Sequence, residues 1–567
     1  MKSLAEIRRL VAAWIEIEIE DKYLKELDDL TLRLAAEDSD AIEQATEMFG
    51  ARVSFGTAGL RGPMRAGPNG LNRTVIAQTT AGLAQFLAER EKEVGRQKSV
   101  VVVGFDGRHN SETFARDTSE ILAGSGFHVM LMSDLVPTPV LAFAVRALEA
   151  DAGIMITASH NPSSDNGYKL YLGGKDQGSQ IVPPAEGQIE RHIRAVVEDS
   201  SWTKVNRSSE SIELLNDDII SSYITKSCEE LRPVPPTGRE IAVVYSAMHG
   251  VGGKTFLTAV QQAGFQKPLI VEDQFNPDPN FSTVSFPNPE EKGALDMSID
   301  LARENSADLI IAHDPDADRL AVGVRSPAEP GGYRILSGNE TGAILGWHLA
   351  ESLAMQHAGG SFANSIVSSP ILQKICNHFG IRHEETLTGF KHVSRVSNLK
   401  FGYEEALGFL VTPDSVRDKD GITAALAIIS LVNVLAKKGE TLIDYLQNIY
   451  STVGAFSSRQ ITKSLKPGFK GAAITNAVRE KNIDHIGSFS VTRMDDFQTG
   501  EYGFPPTDIL RFYLDNNCRV IIRPSGTEPK VKFYIDTQEE TIAAATRIAA
   551  DLESALGQIV EELSEPE

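Results

Sequence analysis

A serine in a short polar turn, directly after an apolar segment, is the first candidate for chemistry in this chain. Residues 153–156 (GIMI) are followed by residues 157–162 (TASHNP), which contain Ser159. If the apolar run is a buried strand of an open α/β sheet, Ser159 stands at its carboxyl end, where such sheets bind ligands. His160 and Asn161 can hold the turn through side-chain bonds to backbone. The pattern predicts a fixed hydroxyl that could carry a phosphoryl group, and an ordinary turn serine is the alternative.

Three aspartates at alternate positions form a second candidate site. Asp314, Asp316 and Asp318 follow the apolar run LIIAH at residues 309–313. In an extended segment alternate side chains share one side, so the pattern predicts three carboxylates that converge on one point. Three hard oxygen ligands with open positions suit Mg²⁺, whereas an EF-hand would require glycine where Arg319 stands. A charged surface turn is the alternative interpretation.

The serine and the aspartates account for each other if Ser159 is phosphorylated. A phosphoryl group beside three aspartates gathers about five negative charges, which require a divalent cation and a basic residue such as Arg319. Mg²⁺ would supply positioning and charge neutralisation for phosphoryl transfer. The predicted metal ligands are therefore Ser159, Asp314, Asp316 and Asp318.

Two further polar loops have the chemistry to bind a phosphorylated sugar. Residues 523–530 (RPSGTEPK) combine an arginine fork with hydroxyl and backbone donors, a combination that suits phosphate. The predicted phosphate-binding residues there are Arg523, Ser525, Gly526 and Thr527. In residues 402–408 (GYEEALG), Glu404 and Glu405 can accept hydrogen bonds from vicinal sugar hydroxyls. A surface turn is the alternative for the first loop, and a solvated carboxylate pair is the alternative for the second. Lys169 lies in an alternating strand pattern and is either directed toward the Ser159 loop or exposed to solvent.

Alternating strand and helix patterns must position these loops. Strand patterns at residues 100–103, 128–132 and 153–156 are separated by helical patterns, which predicts a mostly parallel sheet covered by helices. A second such unit leads to the aspartates, and a third begins with a strand at residues 365–367 and leads to the glutamates. The segment DKDG at residues 418–421 is most simply the N-cap of the following helix. The C-terminal segment predicts a small α+β domain.

Together the four loops resemble those of the α-D-phosphohexomutase family, which includes phosphoglucomutases, phosphomannomutases and related phosphopentomutases. The resemblance runs from about residue 55 to the C-terminus and includes the glycine-rich segment FGTAGLRG at residues 55–62. It implies that a phosphoserine at Ser159 donates its group to a hexose phosphate. The bisphosphate intermediate then turns around without leaving, and the serine takes back the other phosphate. The resemblance implies catalytic roles for Ser159, Lys169, Arg61 and His160, and substrate contacts from Arg319 and Lys391.

The resemblance thus predicts an isomerase, an intramolecular phosphotransferase that interconverts the 1-phosphates and 6-phosphates of glucose or mannose. The implied cofactors are Mg²⁺ and hexose 1,6-bisphosphate. Many glucose and mannose mutases carry a serine where this chain has Ala406, so the preferred sugar stays open. A phosphopentomutase acting on ribose or deoxyribose phosphates is the main alternative. A Mg²⁺-dependent sugar phosphatase and a non-catalytic sugar-phosphate sensor are further alternatives, and a sensor has no need of Ser159 and the aspartates.

The predicted fold class is α/β, with three related mixed α/β domains plus a smaller C-terminal α+β domain around a central cleft. The first 50 residues show helical spacing, and no chemistry is assigned to them. The predicted boundaries are 1–50 for this helical lead-in, 51–210 for domain I with the phosphoserine loop, 211–330 for domain II with the metal loop, 331–455 for domain III with the sugar-binding loop, and 456–567 for domain IV with the phosphate-binding loop.

Composition limits the partners and the location. The 567 residues are 41% hydrophobic and 23% charged, which is typical of a soluble globular protein. A net charge of −22 argues against binding to nucleic acid or to an anionic membrane. Three distant cysteines, no apolar leader at the N-terminus and no run of about 20 apolar residues predict a cytoplasmic protein. The predicted partners are small-molecule sugar phosphates, and the predicted state is a monomer or a homodimer.

Overall fold

The computed structural model describes residues 2–55, 59–94, 99–236, 239–465, 471–481, 483–524 and 530–564. The chain divides into two compact units. Unit 1 comprises Met1–Ile335 and Gly408–Asn433, and unit 2 comprises Leu336–Leu407 and Val434–Glu567.

Unit 1 begins with three helices, α1 (Leu4–Ile15), α2 (Asp21–Ala35) and α3 (Ser39–Phe49). The side chains of Ser3 and Asp38 accept hydrogen bonds from backbone N–H groups in the first turns of α1 and α3. The apolar faces of the three helices join one hydrophobic core with the following sheet and its helices. The N-terminal segment is therefore part of the packed body of unit 1.

The first sheet of unit 1 positions the Ser159 turn. Its strand order is β1-β5-β4-β2-β3-β7, and a further strand, β6, pairs with β5. Strands β4, β2, β3 and β7 are parallel neighbours, so their carboxyl ends lie at one edge, and β5 is antiparallel to β4. The elements in chain order are β1 (Leu60–Pro63), α4 (Arg73–Val94), β2 (Val100–Phe105), α5 (Ser111–Gly124), β3 (His128–Met132), α6 (Thr138–Ala147), β4 (Ala152–Ile156), β5 (Asp165–Leu172), β6 (Ser179–Gln180), α7 (Ala185–Glu198) and β7 (Ile212–Leu215).

The second sheet of unit 1 positions the three aspartates. The strand order is β12-β11-β10-β8-β9, with β8 parallel to β10 and β9, and with β11 antiparallel to β10. The connection between β10 and β11 carries the aspartates. The elements in chain order are α8 (Asp218–Leu231), β8 (Val243–Ser246), α9 (Gly252–Gln262), β9 (Leu269–Ile270), α10 (Asp296–Glu304), β10 (Leu309–Ala312), β11 (Ala321–Arg325) and β12 (Tyr333–Ile335).

Unit 2 begins with a parallel arrangement in which β13 has β14 on one side and β15 on the other. The elements are α11 (Gly338–Met355), β13 (Ser361–Ser365), α12 (Ile371–Phe379), β14 (Arg382–Thr386), α13 (Phe390–Val393) and β15 (Leu399–Glu404). The prediction of a strand at residues 365–367 was wrong in its bounds, because β13 begins at Ser361 and ends at Ser365. Ile366 and Val367 follow the strand and are buried in an apolar cluster with Phe497 and Ile521. The apolar side chains of Ile366 and Val367 are therefore explained by burial in this cluster and not by a strand.

A short strand and a long apolar helix then follow, β16 (Gly408–Leu410) and α14 (Gly421–Lys438). By length and composition α14 could cross a membrane, but 72% of it is buried inside the protein. Its apolar side chains are therefore those of a core helix.

The C-terminal part of unit 2 is an antiparallel sheet with the order β17-β22-β21-β20-β19-β18. Helix α17 packs against β17 and β22. The elements are α15 (Leu442–Val453), β17 (Ala455–Ser464), α16 (Gly471–Lys481), β18 (His485–Ile486), β19 (Phe489–Asp496), β20 (Leu510–Leu514), β21 (Arg519–Pro524), β22 (Lys530–Glu539) and α17 (Ile542–Ser564).

Candidate active site

Ser159 lies in the turn after β4 with an unusual backbone conformation. Its φ is +53°, in the left-handed region that non-glycine residues seldom adopt. The backbone N–H of Ser159 donates to Thr157 Oγ1 at 2.9 Å. Its own Oγ donates to Asp314 Oδ2 at 3.0 Å and lies 3.2 Å from His160 Nδ1. With only 3% of the residue exposed, the hydroxyl is held in a defined position among acidic and basic groups.

The three predicted aspartates do come together, but the predicted reason was wrong. One oxygen atom from each of Asp314, Asp316 and Asp318 lies within 4.8 Å of the others, and all three residues are fully buried. The segment is a tight turn, in which Ala317 has a φ of +54° and donates its N–H to the Asp314 carbonyl at 2.9 Å. The carboxylates therefore converge because the chain turns, and an extended strand is not the cause.

Two lysines neutralise part of this acidic group. Lys169, on β5, donates to Asp316 Oδ2 at 2.7 Å and to Asp318 Oδ2 at 3.0 Å, and its side chain is 3% exposed. Lys419 donates to Asp318 Oδ2 at 2.8 Å. Burial lowers the pKa of Lys169, but the attraction of Asp316 and Asp318 outweighs this effect and raises the pKa above its ordinary value. Lys169 is therefore buried against the aspartates, and the alternative that it is exposed to solvent is wrong.

Sequence reasoning missed Lys419. The capping interpretation of residues 418–421 was right, because Asp420 Oδ1 accepts the N–H of Thr423 at 3.0 Å near the start of α14. That local explanation left no reason to expect the adjacent lysine at the aspartates. A signal was present in the charge pattern, since a lysine between Asp418 and Asp420, before an apolar helix, is placed to be buried and paired.

The charge balance of the group fits a cation. Burial and the neighbouring Asp316 and Asp318 raise the pKa of Asp314 well above its ordinary value, because neither lysine bonds to this carboxylate. Asp316 Oδ1 and Asp318 Oδ1 are buried and accept no hydrogen bond from the residues that the structure describes. Buried carboxylate oxygens of this kind need a partner, and hard oxygen donors suit a divalent cation. The three aspartates can therefore hold a metal ion.

Two other predicted catalytic residues, Arg61 and His160, and the predicted substrate contact Arg319 lie at the serine turn or at Asp314. Arg61, on β1, donates from Nη1 to Asn161 Oδ1 at 3.1 Å, within the serine turn. The Arg319 N–H donates to Asp314 Oδ1 at 3.0 Å, and its guanidinium pairs with Glu290 at 3.2 Å. Burial, followed by repulsion from Arg319 and Arg61, lowers the pKa of His160 well below its ordinary value. Arg61 and Arg319 thus place positive charge near Ser159 and the aspartates.

The predicted sugar-binding residues lie in unit 2. Glu404 ends β15, and its Oε1 accepts the N–H of Gly389 at 2.7 Å. Glu405 Oε2 accepts hydrogen bonds from the hydroxyls of Ser365 at 3.1 Å and Ser368 at 3.0 Å. One oxygen of each carboxylate is therefore already engaged by the protein.

The remaining predicted substrate-binding residues of unit 2 are only partly described. Lys391, on α13, is buried, and Arg523 lies on β21 opposite Lys532 of β22. Ser525, Gly526 and Thr527 lie outside the described residues.

Family models match four consecutive segments of the chain. Three are the alpha/beta/alpha domains I, II and III of the phosphoglucomutase/phosphomannomutase family, at residues 52–199, 221–327 and 337–453. The fourth is the C-terminal domain of the same family, at residues 476–555. These matches confirm the predicted resemblance and the predicted fold class of three α/β domains followed by a different C-terminal domain.

Individual relatives support the same assignment. A protein of Haemophilus influenzae named "Probable phosphomannomutase" is 44% identical over 492 residues, which are 87% of this chain and 98% of the relative. A human phosphopentomutase is 35% identical over 550 residues, which are 89% of this chain and 87% of the relative. The solved structure of parafusin, a phosphoglucomutase from Paramecium, in its open form shares the fold, with a TM-score of 0.67 and 18% identity, covering 89% of this chain and 95% of that one. The chain therefore belongs to the phosphoglucomutase/phosphomannomutase family and is a phosphosugar mutase, the reaction type predicted from its sequence.

Proposed function

We propose that this enzyme interconverts hexose 1-phosphates and hexose 6-phosphates, with glucose or mannose as the sugar, through a phosphoserine at Ser159. The observation that carries the proposal is the 3.0 Å hydrogen bond from Ser159 Oγ to Asp314, within a buried group of three aspartates. A hydroxyl at this point can hold a phosphoryl group only if its charge is neutralised, and the site supplies both lysines and cation ligands. A serine with only a structural role would have no need of such an environment.

Mg²⁺ is the metal that suits these donors, with Asp314, Asp316, Asp318 and the phosphorylated Ser159 as its ligands. When bound, the ion would supply the positive charge that the phosphoryl group requires during transfer. Lys169 and Lys419 neutralise the aspartates from within the protein, and their hydrogen bonds fix the orientation of Asp316 and Asp318. The protein thus prepares the site before the substrate binds.

The chain's own residues account for the proton and phosphoryl movements of the reaction. As the bond between Ser159 Oγ and phosphorus breaks, a sugar hydroxyl oxygen forms a bond to phosphorus. The proton that this hydroxyl loses is balanced by the proton that Ser159 Oγ takes up. His160 Nδ1, 3.2 Å from Ser159 Oγ, is within reach for proton exchange at that oxygen. Arg61 holds the serine turn through Asn161, and Lys169 adds a fixed positive charge. In the second half of the reaction, the other phosphate of the bisphosphorylated sugar returns to Ser159.

Sugar and phosphate recognition is assigned to unit 2. Glu404 and Glu405 are proposed to accept hydrogen bonds from sugar hydroxyls, and Lys391 to contact the sugar or its phosphate. Arg523, together with Ser525, Gly526 and Thr527, is proposed to bind the phosphate that does not react. Hexose 1,6-bisphosphate is then both the intermediate and the activator of the enzyme.

A phosphopentomutase activity is the second candidate. Two features favour it: the human relative named phosphopentomutase, and Ala406, at a position beside the two glutamates where the family resemblance implies a serine in many glucose and mannose mutases. One fewer hydrogen-bond donor in the sugar loop would reduce discrimination in favour of a hexose. Ribose or deoxyribose 1-phosphate would then be converted to the 5-phosphate by the same serine.

The test measures turnover of glucose 1-phosphate, mannose 1-phosphate and ribose 1-phosphate with Mg²⁺ and a trace of hexose 1,6-bisphosphate. Wild type is compared with Ser159→Ala and with Ser163→Ala, a matched serine variant in the same turn, and release of inorganic phosphate is followed in parallel. We expect a sugar phosphate isomer without free phosphate, loss of at least about a thousandfold in Ser159→Ala, and normal rates in Ser163→Ala. Preference for ribose 1-phosphate would establish the second candidate. Stoichiometric phosphate release would show a phosphatase and contradict the proposal.

A further inference from the structure

The serine turn has a backbone that needs outside support. Ser159 is held in a left-handed conformation, which costs a non-glycine residue free energy and persists only where surrounding contacts fix it. Besides the bond from the Ser159 N–H to Thr157, the turn has N–H bonds from Asn161 to the Ala158 carbonyl at 3.1 Å and from Asp165 to the Pro162 carbonyl at 3.0 Å. Four of its backbone carbonyl oxygens also accept hydrogen bonds from one side chain of the same unit, Arg108. This arginine follows β2, at the edge of the sheet where β4 delivers Ser159.

Arg108 binds four carbonyl oxygens of the turn at once. Its Nη2 donates to the carbonyls of Ser159 at 2.5 Å and Asn161 at 2.6 Å. Its Nη1 donates to the carbonyls of Pro162 at 2.7 Å and Asp165 at 3.2 Å. These contacts span the turn from the nucleophile itself to the first residue of β5.

The guanidinium of Arg108 is itself held in place by neighbouring side chains. Its side chain is 1% exposed, its Nε lies 3.4 Å from Asp106 Oδ2, and its plane lies over the ring of Phe281 at 4.8 Å. A lysine could not replace it, because a single ammonium cannot reach four acceptors that diverge around a planar fork. Loss of the fork would remove this donor from the carbonyls of Ser159, Asn161 and Asp165, and the turn would relax. The Pro162 carbonyl would keep the N–H of Asp165, which lies at 3.0 Å.

From this geometry we propose that Arg108 is the positioning residue that aims Ser159 Oγ, and so determines whether its phosphoryl group goes to the sugar or to water. The inference rests on the proposed phosphoserine mechanism. In transfer, the Ser159 Oγ to phosphorus bond breaks while a sugar hydroxyl oxygen bonds to phosphorus, and in the net reaction the hydroxyl proton passes to Ser159 Oγ. In hydrolysis, a water oxygen forms that bond instead, and inorganic phosphate is released.

Transfer to the sugar and hydrolysis by water should respond differently to a displacement of Ser159. The bound sugar hydroxyl must lie in line with the breaking bond, and a displacement of about 1 Å can slow such a step about a hundredfold. Water is small and not held in place, so it can approach a displaced phosphoserine from many directions. A turn released by loss of Arg108 should therefore lose transfer far more than hydrolysis.

The experiment compares Arg108→Lys with Arg65→Lys in the full-length enzyme. Arg65 is a matched control, because it also chelates a backbone carbonyl, that of Asn69, with Nε at 3.1 Å and Nη2 at 3.0 Å, away from the Ser159 turn. The assay measures kcat, KM and the ratio of phosphate released to sugar isomerised. For Arg108→Lys we expect kcat to fall tenfold to a hundredfold, KM to stay within about threefold, and the release ratio to rise about tenfold. Arg65→Lys should match wild type in all three.

Two outcomes would overturn the inference while leaving the phosphoserine mechanism intact. One is an Arg108→Lys enzyme with the kcat and release ratio of Arg65→Lys. The other is a fall in kcat with no rise in the release ratio, which would indicate a purely structural role. If Arg108→Lys does not fold, Phe281→Leu removes the ring beneath the guanidinium and should raise the release ratio about threefold, and an unchanged ratio would refute the inference. Absence of isomerisation in wild type would instead contradict the proposed function.

Discussion

Lys169 and Lys419 should contribute unequally to the stability of the enzyme, because they pair with different numbers of the three aspartates. The substitution Lys169→Met tests this difference. Lys169 holds two carboxylates through bonds of 2.7 and 3.0 Å, and its side chain is 3% exposed. Among the residues that the structure describes, Lys419 pairs with Asp318 alone, at 2.8 Å, and its side chain is 16% exposed. Methionine preserves most of the length and volume of either lysine, so each substitution removes mainly the charge.

The expected magnitudes follow from burial. Removing one partner of a buried ion pair destabilises a protein by about 3–5 kcal/mol, because a charge is left buried without compensation. This range applies to Lys169→Met, since Asp316 and Asp318 are fully buried. In Lys419→Met, Asp318 keeps its bond to Lys169, so we expect about 1.5–3 kcal/mol, the usual contribution of a hydrogen bond to a charged group.

Thermal unfolding measured with and without MgCl₂ provides the assay. At about 2 °C for each kcal/mol, Lys169→Met should lower the Tm by about 6–10 °C, and Lys419→Met by about 3–6 °C. Because a divalent cation can replace the missing ammonium charge, MgCl₂ should raise the Tm of Lys169→Met more than that of wild type. Equal Tm losses in the two variants, or a Lys169→Met enzyme that does not respond to MgCl₂, would refute the reasoning.

Two other predictions concern carboxylates outside the group of three aspartates. Burial raises the pKa of Asp420 from 3.8 to about 6, so the folded state favours its protonated form, and this stabilisation is lost as the pH rises through 6. The stability of wild type relative to Asp420→Asn should therefore fall by about 2 kcal/mol between pH 4 and pH 7, measured by chemical denaturation, and a constant difference would contradict the assignment. In unit 2, Glu404→Gln should raise KM for the sugar phosphate about tenfold with little change in Tm. Glu405→Gln, which weakens bonds from Ser365 and Ser368, should lower the Tm of the enzyme more than Glu404→Gln does, and the reverse order would assign the two glutamates opposite roles.

Much of the candidate site could be predicted because each loop is contiguous in sequence and follows an apolar strand. Ser159 after β4 and the aspartates after β10 are placed by the carboxyl ends of parallel strands, which is a general property of α/β sheets. The alternating strand and helix patterns predicted the parallel strands β2, β3 and β4 of unit 1. The turn that brings the aspartates together was not predicted, because the left-handed conformation of Ala317 has no signal in an alanine.

The residues that were missed act over long separations in sequence. Lys419 bonds to Asp318, 101 positions away, while its neighbours already have a local explanation as a helix cap. Arg108 contacts carbonyl oxygens 51 to 57 positions away, and backbone acceptors leave no residue-type pattern that a sequence could reveal. Contacts of this kind depend on tertiary packing, which local patterns do not specify.

The most direct test of the central claim follows a labelled phosphoryl group through a single turnover. Enzyme phosphorylated with ³²P at Ser159 is mixed with unlabelled glucose 1-phosphate and Mg²⁺, and the label is traced within the first turnover. The phosphoserine account predicts that the label leaves the protein at the rate of turnover and appears in a sugar phosphate. It also predicts that Ser159→Ala cannot be labelled. Label that stays on the protein during turnover, or appears first as inorganic phosphate, would contradict the account.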